Sequence, residues 1–248
     1  MVPEIHYFDS LPSTNRKAFE LAESGATHGV IVQAGSQTKG RGRLGKTWQS
    51  HGGQGLYFSI IVRPDLDLID YPKITMTTGV AVADALEYLT PCKVSLKWPN
   101  DIFISEKKCC GILAESSVTN ESNVFCIIGI GVNVLNSLEN FSEDIRHRAT
   151  SIYLETGRSF PLAEIRDKIW QSVLRKIQLL EKEGFSPIRE EWMRRDFLEG
   201  KKLNWITNSG DIICGISEGT DENGELLVRD DKGEIRKVIS GDITLAKQ

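Results

Sequence analysis

"QTKGRGRLGKTWQS" (residues 37–50) runs without a break into "HGGQGLYFSIIV" (51–62), and the fold turns on how these two segments are read together. The first carries four cations, no acid and three glycines. Gly40, Gly45, Lys46 and Thr47 satisfy the spacing of a phosphate-binding Walker loop, but such a loop follows a strand and opens a helix. Here Trp48 leads through glycines into the strand-like "LYFSIIVR" (56–63), and "GVIVQA" (29–34) comes before, so the basic loop joins two strands. Glycine lets backbone N–H groups approach an anion, and Arg41 and Arg43 add planar donors suited to carboxylate or phosphate. A mobile solvated loop has the same composition, so the loop must be weighed with the rest of the chain.

The 248 residues are 40% hydrophobic, enough for one large core and a small second one. A net charge of -4 and a pI of about 5.7 put the basic loop on an acidic body, which favours a small anionic ligand over non-specific DNA binding. Cys92, Cys109, Cys110, Cys126 and Cys214 form an odd set without C-x-x-C spacing, which suggests neither a disulfide framework nor a zinc site. No cationic flank precedes an apolar run at the start, and no segment reaches the roughly 18 apolar residues of a membrane span. We therefore expect a cytoplasmic protein with no membrane partner.

Outward from the loop, Ala18, Phe19 and Ala22 recur at helical spacing after "STN", with Ser13 or Thr14 as N-cap and Gly25 as stop. Pro72 opens a helix through "YLT", and "VSLKWPNDIFIS" reads as strand, turn, strand around Pro99 and Asn100. "EKKCCGILAESS" and "NVFCIIGIGVNV" form the next strand pair, the second apolar enough to be central. Helical periodicity returns at Leu162, Ile165, Ile169, Val173, Ile177 and Leu180, between Pro161 and Gly184. "SPIREEWMRRDF" reads as a shorter helix capped by Ser186 and Pro187. From Leu198 the texture changes to short strands separated by "NSGD", "DENGE" and "DDKGE", the pattern of a small β barrel, with a domain boundary near residue 197.

Several of these stretches carry groups with chemistry, and each has a bland alternative. "KWPNDI" (97–102) is a turn, or it offers Lys97 and Asn100 to a ligand and Asp101 to a divalent cation. Lys108 is a surface lysine, or a cation at the base of a strand where Gly111 allows close approach. The glycines of "GIGVNV" relieve packing or bind something, and Asn133 at the end of that apolar run needs a partner.

Taken together, "STN", "GRGRLGKTW", "KWPND", "KCCGILAE" and "GIGVN" stand in an order and spacing that resembles the biotin–protein ligases, from residue 13 to about 245. The resemblance implies an α+β protein. Residues 1–197 would form a mixed-sheet catalytic domain of the class II aminoacyl-tRNA synthetase and biotin–lipoate ligase type, and 198–248 an SH3-like β barrel. It also implies an ATP-dependent, AMP-forming enzyme. Such an enzyme attaches biotin to a lysine of a biotin carboxyl carrier protein through biotinoyl-5′-AMP, with Mg²⁺ accompanying ATP.

The same resemblance assigns Ser13, Thr14, Asn15 and Gln37 to the ureido and neighbouring parts of biotin, with Arg41, Gly42 and Arg43 closing over it. Lys108 becomes the cation beside the reacting carboxylate and α-phosphate, acting in catalysis with Arg43. Trp48, Lys97, Asn100 and Asn133 fall on the adenylate side, and Asp101 near Mg²⁺. Lys46 stands where many members have arginine, and the tail "DITLAKQ" lacks an arginine that some members carry. With twelve residues ahead of Ser13, the DNA-binding domain of longer members is not expected, and a homodimer remains compatible. A lipoate ligase, or a nucleotide- or RNA-binding module without catalysis, are the alternative readings.

Overall fold

The apolar run at 124–133 is the middle strand of the main sheet. A computed structural model of the chain describes residues 2–118, 124–206, 212–239 and 242–245. Its main sheet contains β1 (Ile5–Leu11), β2 (Ile31–Gln37), β3 (Gly55–Val62), β4 (Val94–Lys97), β5 (Asp101–Ile104), β6 (Lys107–Val118) and β7 (Val124–Asn133). The order across it is β1-β2-β3-β7-β6-β5-β4, with β1 parallel to β2 and the other neighbours antiparallel. The helices are α1 (Thr14–Glu23), α2 (Lys73–Leu89), α3 (Glu143–Arg146), α4 (Ile152–Thr156), α5 (Leu162–Glu183) and α6 (Ser186–Met193).

Strand alternation sorts β7 between two environments. Cys126, Ile128, Ile130 and Val132 point into the large core with α2 and α5, while Phe125 and Ile127 pack with Ala18 and Ala22 of α1. Each large aliphatic side chain buried this way contributes about 1.5–3 kcal/mol. In α5, Ile165, Ile169, Val173, Ile177 and Leu180 are all buried, so the helical stripe read from the sequence is the core face. A polar clip ties α2, α5 and α6 together. Lys176 Nζ lies 3.1 Å from Asp84 and 2.5 Å from Glu191, and Arg195 reaches Asp84 at 2.9 Å and Glu87 at 2.8 Å.

Three local expectations are corrected. The N-cap of α6 is Phe185, with Ser186 inside the helix and Pro187 in its first turn, where a missing N–H costs nothing. Ser13 holds the N-cap position of α1 but makes no side-chain cap bond; Gln37 Oε1 accepts from Thr14 N at 2.8 Å instead. Strand β1 has no counterpart in the sequence reading, because as a half-exposed edge strand it shows no clean alternation.

After α6 the chain enters β8 (Lys202–Ile206), β9 (Ile212–Thr220), β10 (Leu226–Asp230), β11 (Ile235–Val238) and β12 (Asp242–Leu245). These form a second, antiparallel sheet in the order β11-β10-β9-β8-β12. Leu203, Leu226, Val228 and Val238 join the same core cluster as α2 and α5. The turn "NSGD" and the last three residues of the tail lie outside the described residues.

Where the two sheets meet, Asp196 is partly buried, and its Oδ2 has no hydrogen-bond partner while Oδ1 accepts from Leu198 N at 2.8 Å. Burial pushes its carboxyl up to about 6 from 3.8. The native state thus holds a proton that the unfolded chain has released, and stability falls as pH rises from about 4 through about 6. Asp196→Asn should flatten that slope and stabilise the protein at pH 7 by up to about 3 kcal/mol. Urea unfolding at pH 4.5 and 7 checks this; an unchanged pH slope would contradict it.

Candidate active site

The face of the sheet that carries α1 loses its side chains beyond Ile127. Cross-strand register sets Ser59, Gly129 and Leu113 in one row and Tyr57, Gly131, Gly111 and Asp101 in the next. The glycines leave room for two polar side chains to lie on the sheet. A Cβ on Gly129 would collide with the Asn15 amide, and one on Gly131 would come within 2.6–2.8 Å of the Trp48 indole. A Cβ on Gly111 would meet the same indole at 2.9 Å. The "GIGVN" glycines therefore clear space for Asn15 and Trp48.

Over this floor, residues 40–48 form a narrow hairpin. Arg41 pairs with Thr47, Gly42 N donates to Lys46 O at 2.7 Å, and Trp48 N donates to Gly40 O at 3.1 Å. At the tip Leu44 (φ 52°) and Gly45 (φ 72°) take left-handed backbone. The chain then runs into β3, which bears out rejection of the Walker reading. The hairpin straddles the site, with Arg41 NH2 2.8 Å from Glu115 Oε2 on one side and Arg43 NH1 3.4 Å from Asn100 Oδ1 on the other.

Between hairpin and sheet lies a cleft of about 930 Å³, and every residue that the sequence assigned, from Ser13 to Asn133, lines it. At one end the surface is neutral and rich in hydrogen-bonding groups. Gln37 Oε1 accepts from both Thr14 N and Thr14 Oγ1, and Gln37 Nε2 donates to Ser50 Oγ at 3.2 Å. Asn15 Nδ2 donates to Leu113 O at 3.1 Å and Glu115 Oε2 at 2.7 Å, which uses both its hydrogens. Ser59 Oγ lies 2.7 Å from Asn15 Oδ1 and 2.8 Å from Thr14 Oγ1. Toward a ligand, Asn15 is thus left with acceptor capacity alone.

In the middle Lys108 Nζ sits 2.6 Å from Asp101 Oδ1 and 5.4 Å from the centroid of the Trp48 ring. Its backbone is clamped to the following wall, with Lys108 N donating to Arg148 O and Thr150 N to Lys108 O, both at 2.9 Å. Lys97 Nζ lies 5.7 Å from the Phe103 ring centroid. Asn100 Nδ2 donates to Ile112 O at 2.8 Å, so it anchors its turn as well as facing the cleft. Asn133 finds its partner in Thr150 O at 2.9 Å. Beside Lys108, burial holds the thiols of Cys109 and Cys110 well above the ordinary range, so neither offers a thiolate nucleophile.

Glu115, Ser59 and Asn136 were not singled out from the sequence. Glu115 stands two and four residues beyond Leu113 and Gly111, on their face of β6, so the two-residue period could have found it. Ser59 and Asn136 carry no local sequence signal.

A mixed sheet with a glycine-cleared face under a basic hairpin, followed by a small antiparallel sheet, defines the class of biotin and lipoate ligases. The chain belongs to the biotin/lipoate A/B protein ligase family, whose profile matches residues 7–133, and residues 204–245 match the biotin protein ligase C terminal domain. It is similar to the bifunctional ligase/repressor BirA of Bacillus spizizenii, 34% identical over 239 residues, covering 96% of this chain and 73% of that protein. It is also similar to a biotin--[acetyl-CoA-carboxylase] ligase of Paracoccus denitrificans, 31% identical, covering 92% and 94% of the two chains. The solved biotin protein ligase from Aquifex aeolicus in complex with biotin and ATP superposes with a TM-score of 0.85 at 30% identity, over 99% of both chains.

Gly131→Ala should destabilise the protein by about 1–3 kcal/mol, the scale of overpacking, because the indole above it must move. In a Trp48→Ala background the same change should cost little. Urea melts of the four variants check this, and equal losses in both backgrounds would contradict the assigned role of the glycine.

Proposed function

We propose that this chain activates biotin with ATP to form biotinoyl-5′-AMP and transfers the biotinoyl group to a lysine of a biotin carboxyl carrier protein. One observation carries the reading. An amide-lined pocket around Thr14, Asn15 and Gln37, and a Lys108 cation beside the Trp48 indole, line a single cleft under one basic hairpin. These are the groups that a ureido ring, a carboxylate with phosphate, and a base would each need from one site. The relatives' printed names support the substrate and the carrier.

In the first step a carboxylate oxygen of biotin attacks the α-phosphorus of ATP, the bond to the bridging oxygen breaks, and pyrophosphate leaves. Both reactants are anions, so the reaction needs fixed positive charge where they meet. Lys108, held in the cleft, and Arg43, at the hairpin tip, supply it as preorganised electrostatics. In the second step the carrier's lysine amine attacks the acyl carbon, AMP departs, and the amine loses a proton. Ser13, Thr14, Asn15 and Gln37 hold the ureido end, with Arg41 and Gly42 folding over it, while Trp48, Lys97, Asn100 and Asn133 form the adenylate side.

Mg²⁺ fits as a companion of ATP. Among the described residues no group of three His, Cys, Asp or Glu could hold a metal, but Asp101 is a single carboxylate beside the phosphate region. One carboxylate plus phosphate oxygens is a usual Mg²⁺ donor set, and the ion would supply further charge screening there. No helix among the described residues is long and apolar enough to cross a membrane, and we place the enzyme in the cytoplasm.

The direct test is incubation with MgATP, a carrier domain and either biotin or lipoate, reading pyrophosphate release and the acceptor's mass. We expect both signals with biotin alone; release with lipoate alone would reassign the substrate. Lys108→Ala should lower adenylate formation by about 2.7–4 kcal/mol of transition-state stabilisation while leaving the melt unchanged. Arg43→Gly should still make adenylate but lose a charge-assisted contact worth on the order of 1.5–3 kcal/mol. The intermediate then escapes and acylates bystander lysines, so an unrelated lysine-rich protein added to the mixture should become labelled. Retention equal to the parent's would remove Arg43 from the hairpin's latch.

A further inference from the structure

The carboxylate of Glu155 reaches two segments at once. Its Oε2 accepts from Ser105 Oγ at 2.6 Å and its Oε1 from Thr150 Oγ1 at 2.5 Å. None of the three residues lines the cleft, yet both hydroxyls stand beside the chain that carries Lys108. The reason for joining them lies in how Lys108 comes to face the cleft.

Gly111 faces the cleft, so regular alternation back along β6 would put Cys109 there and turn Lys108 into the core. A bulge prevents this. Cys110 pairs with Ile102 and Lys108 with Phe103, which leaves Cys109 as an extra residue without a partner on β5. Cys109 and Cys110 both enter the core, fully buried, and Lys108 is delivered to the cleft side, where its Nζ meets Asp101.

A bulge keeps its direction only if the chain around it is held. On the near side, β5 and β6 are joined by the two-residue turn Ser105–Glu106, both left-handed (φ 48° and 63°), a geometry that asparagine or glycine takes more readily. Alongside, Lys108 lies beyond the last β6–β7 pair, Cys110 with Val132, and its open edge is taken up by Arg148 and Thr150. Glu155 bonds the turn and this edge to each other. It stands on α4, which Tyr153 N anchors to Val134 O at 2.8 Å and Ser151 caps.

We propose that Glu155 is a positioning residue for Lys108: by holding the Ser105 turn and Thr150 in one carboxylate, it keeps the bulge that aims the ammonium at the reacting anions. The inference rests on the proposed ligase activity. Glu155 acts from outside the cleft, through Lys108 alone.

The test measures biotin-dependent pyrophosphate release from MgATP, with hydroxylamine present to consume the adenylate, for the parent, Glu155→Ala and Glu155→Gln, and for the alanine variant in a Lys108→Ala background. Glu155→Ala should lower kcat roughly ten- to hundredfold, the scale of a small misplacement of a reacting group, with the biotin KM changed less than about twofold. Glu155→Gln keeps the shape and can still bond both hydroxyls, so it should stay within about threefold of the parent. With Lys108 already absent, Glu155→Ala should cost about twofold or less, because the two residues act as one unit.

Unchanged turnover by Glu155→Ala overturns the role. So does an equal fold-loss in both backgrounds, which is what general structural damage gives, and so does a glutamine variant as weak as the alanine one, which would assign the effect to charge. Should Glu155→Ala fail to fold, Ser105→Ala combined with Thr150→Val removes the same two bonds and is read against the same outcomes. No release by the parent would instead remove the ligase reading, and this inference with it.

Discussion

The site depends on one constraint: three glycines in neighbouring rows of a central sheet must stay without side chains. Glycine inside a strand weakens it, since it adds backbone freedom to the unfolded chain and packs nothing. Strand β7 offsets this on its other face, where Cys126, Ile128, Ile130 and Val132 are all buried. The same ten residues thus hold the molecule together on one side and make a floor on the other. Because Asn15 and Trp48 rest on that floor, the helix start and the end of the basic hairpin are both registered against β7. The two ends of the cleft acquire their spacing from a strand's fixed rise.

Charge in the cleft is arranged to be exchanged. Arg41 pairs with Glu115 and Lys108 with Asp101, and these side chains remain between about a fifth and a half exposed. Pairs of this kind hold little free energy, about 0–1 kcal/mol, so a carboxylate or phosphate can take the cation over at small cost. The clip on the opposite side of the sheet is different. Lys176 is 10% exposed between Asp84 and Glu191, and breaking a pair that deep leaves a charge without solvent. One set of ion pairs is built to open and the other to stay shut.

How much of this was readable from residues alone follows from where the signal lies. Strand β7 and helix α5 were legible because a full apolar run and a clean helical stripe are local patterns that tertiary structure then used unchanged. Strand β1 was not, since an edge strand needs no alternation, and the cap of α6 was misplaced by one residue because proline suits either of the first positions. The cleft residues were legible as a set: their order along the chain carried the resemblance, and the fold gathers them into one cavity. Their partners were not legible. That Glu115 joins Asn15 to Arg41 depends on contacts between residues 100 and 74 positions apart, for which the sequence offers no period or spacing.

The terminal sheet belongs to this argument. Trp98, within "KWPND", is 4% exposed and donates its indole N–H to Gly224 O at 2.9 Å, in the turn "DENGE". That turn needs left-handed backbone at Gly224 (φ 78°) and presses it against Met76 and Phe185, so only a residue without a side chain fits. On the way to the sheet, Phe197 N donates to Leu96 O at 2.9 Å, and the Phe197 ring packs on Phe103 while lining the cleft. We propose the division into 1–197 and 198–248 on the change in strand texture. Packing nevertheless runs through it, and the second unit braces from behind the turn that presents Lys97, Asn100 and Asp101. A loosened terminal sheet would therefore be felt first at the end of the cleft that carries Lys97, Asn100 and Asp101, since the amide-lined end is held by α1 and by β2, β3, β6 and β7 of the main sheet.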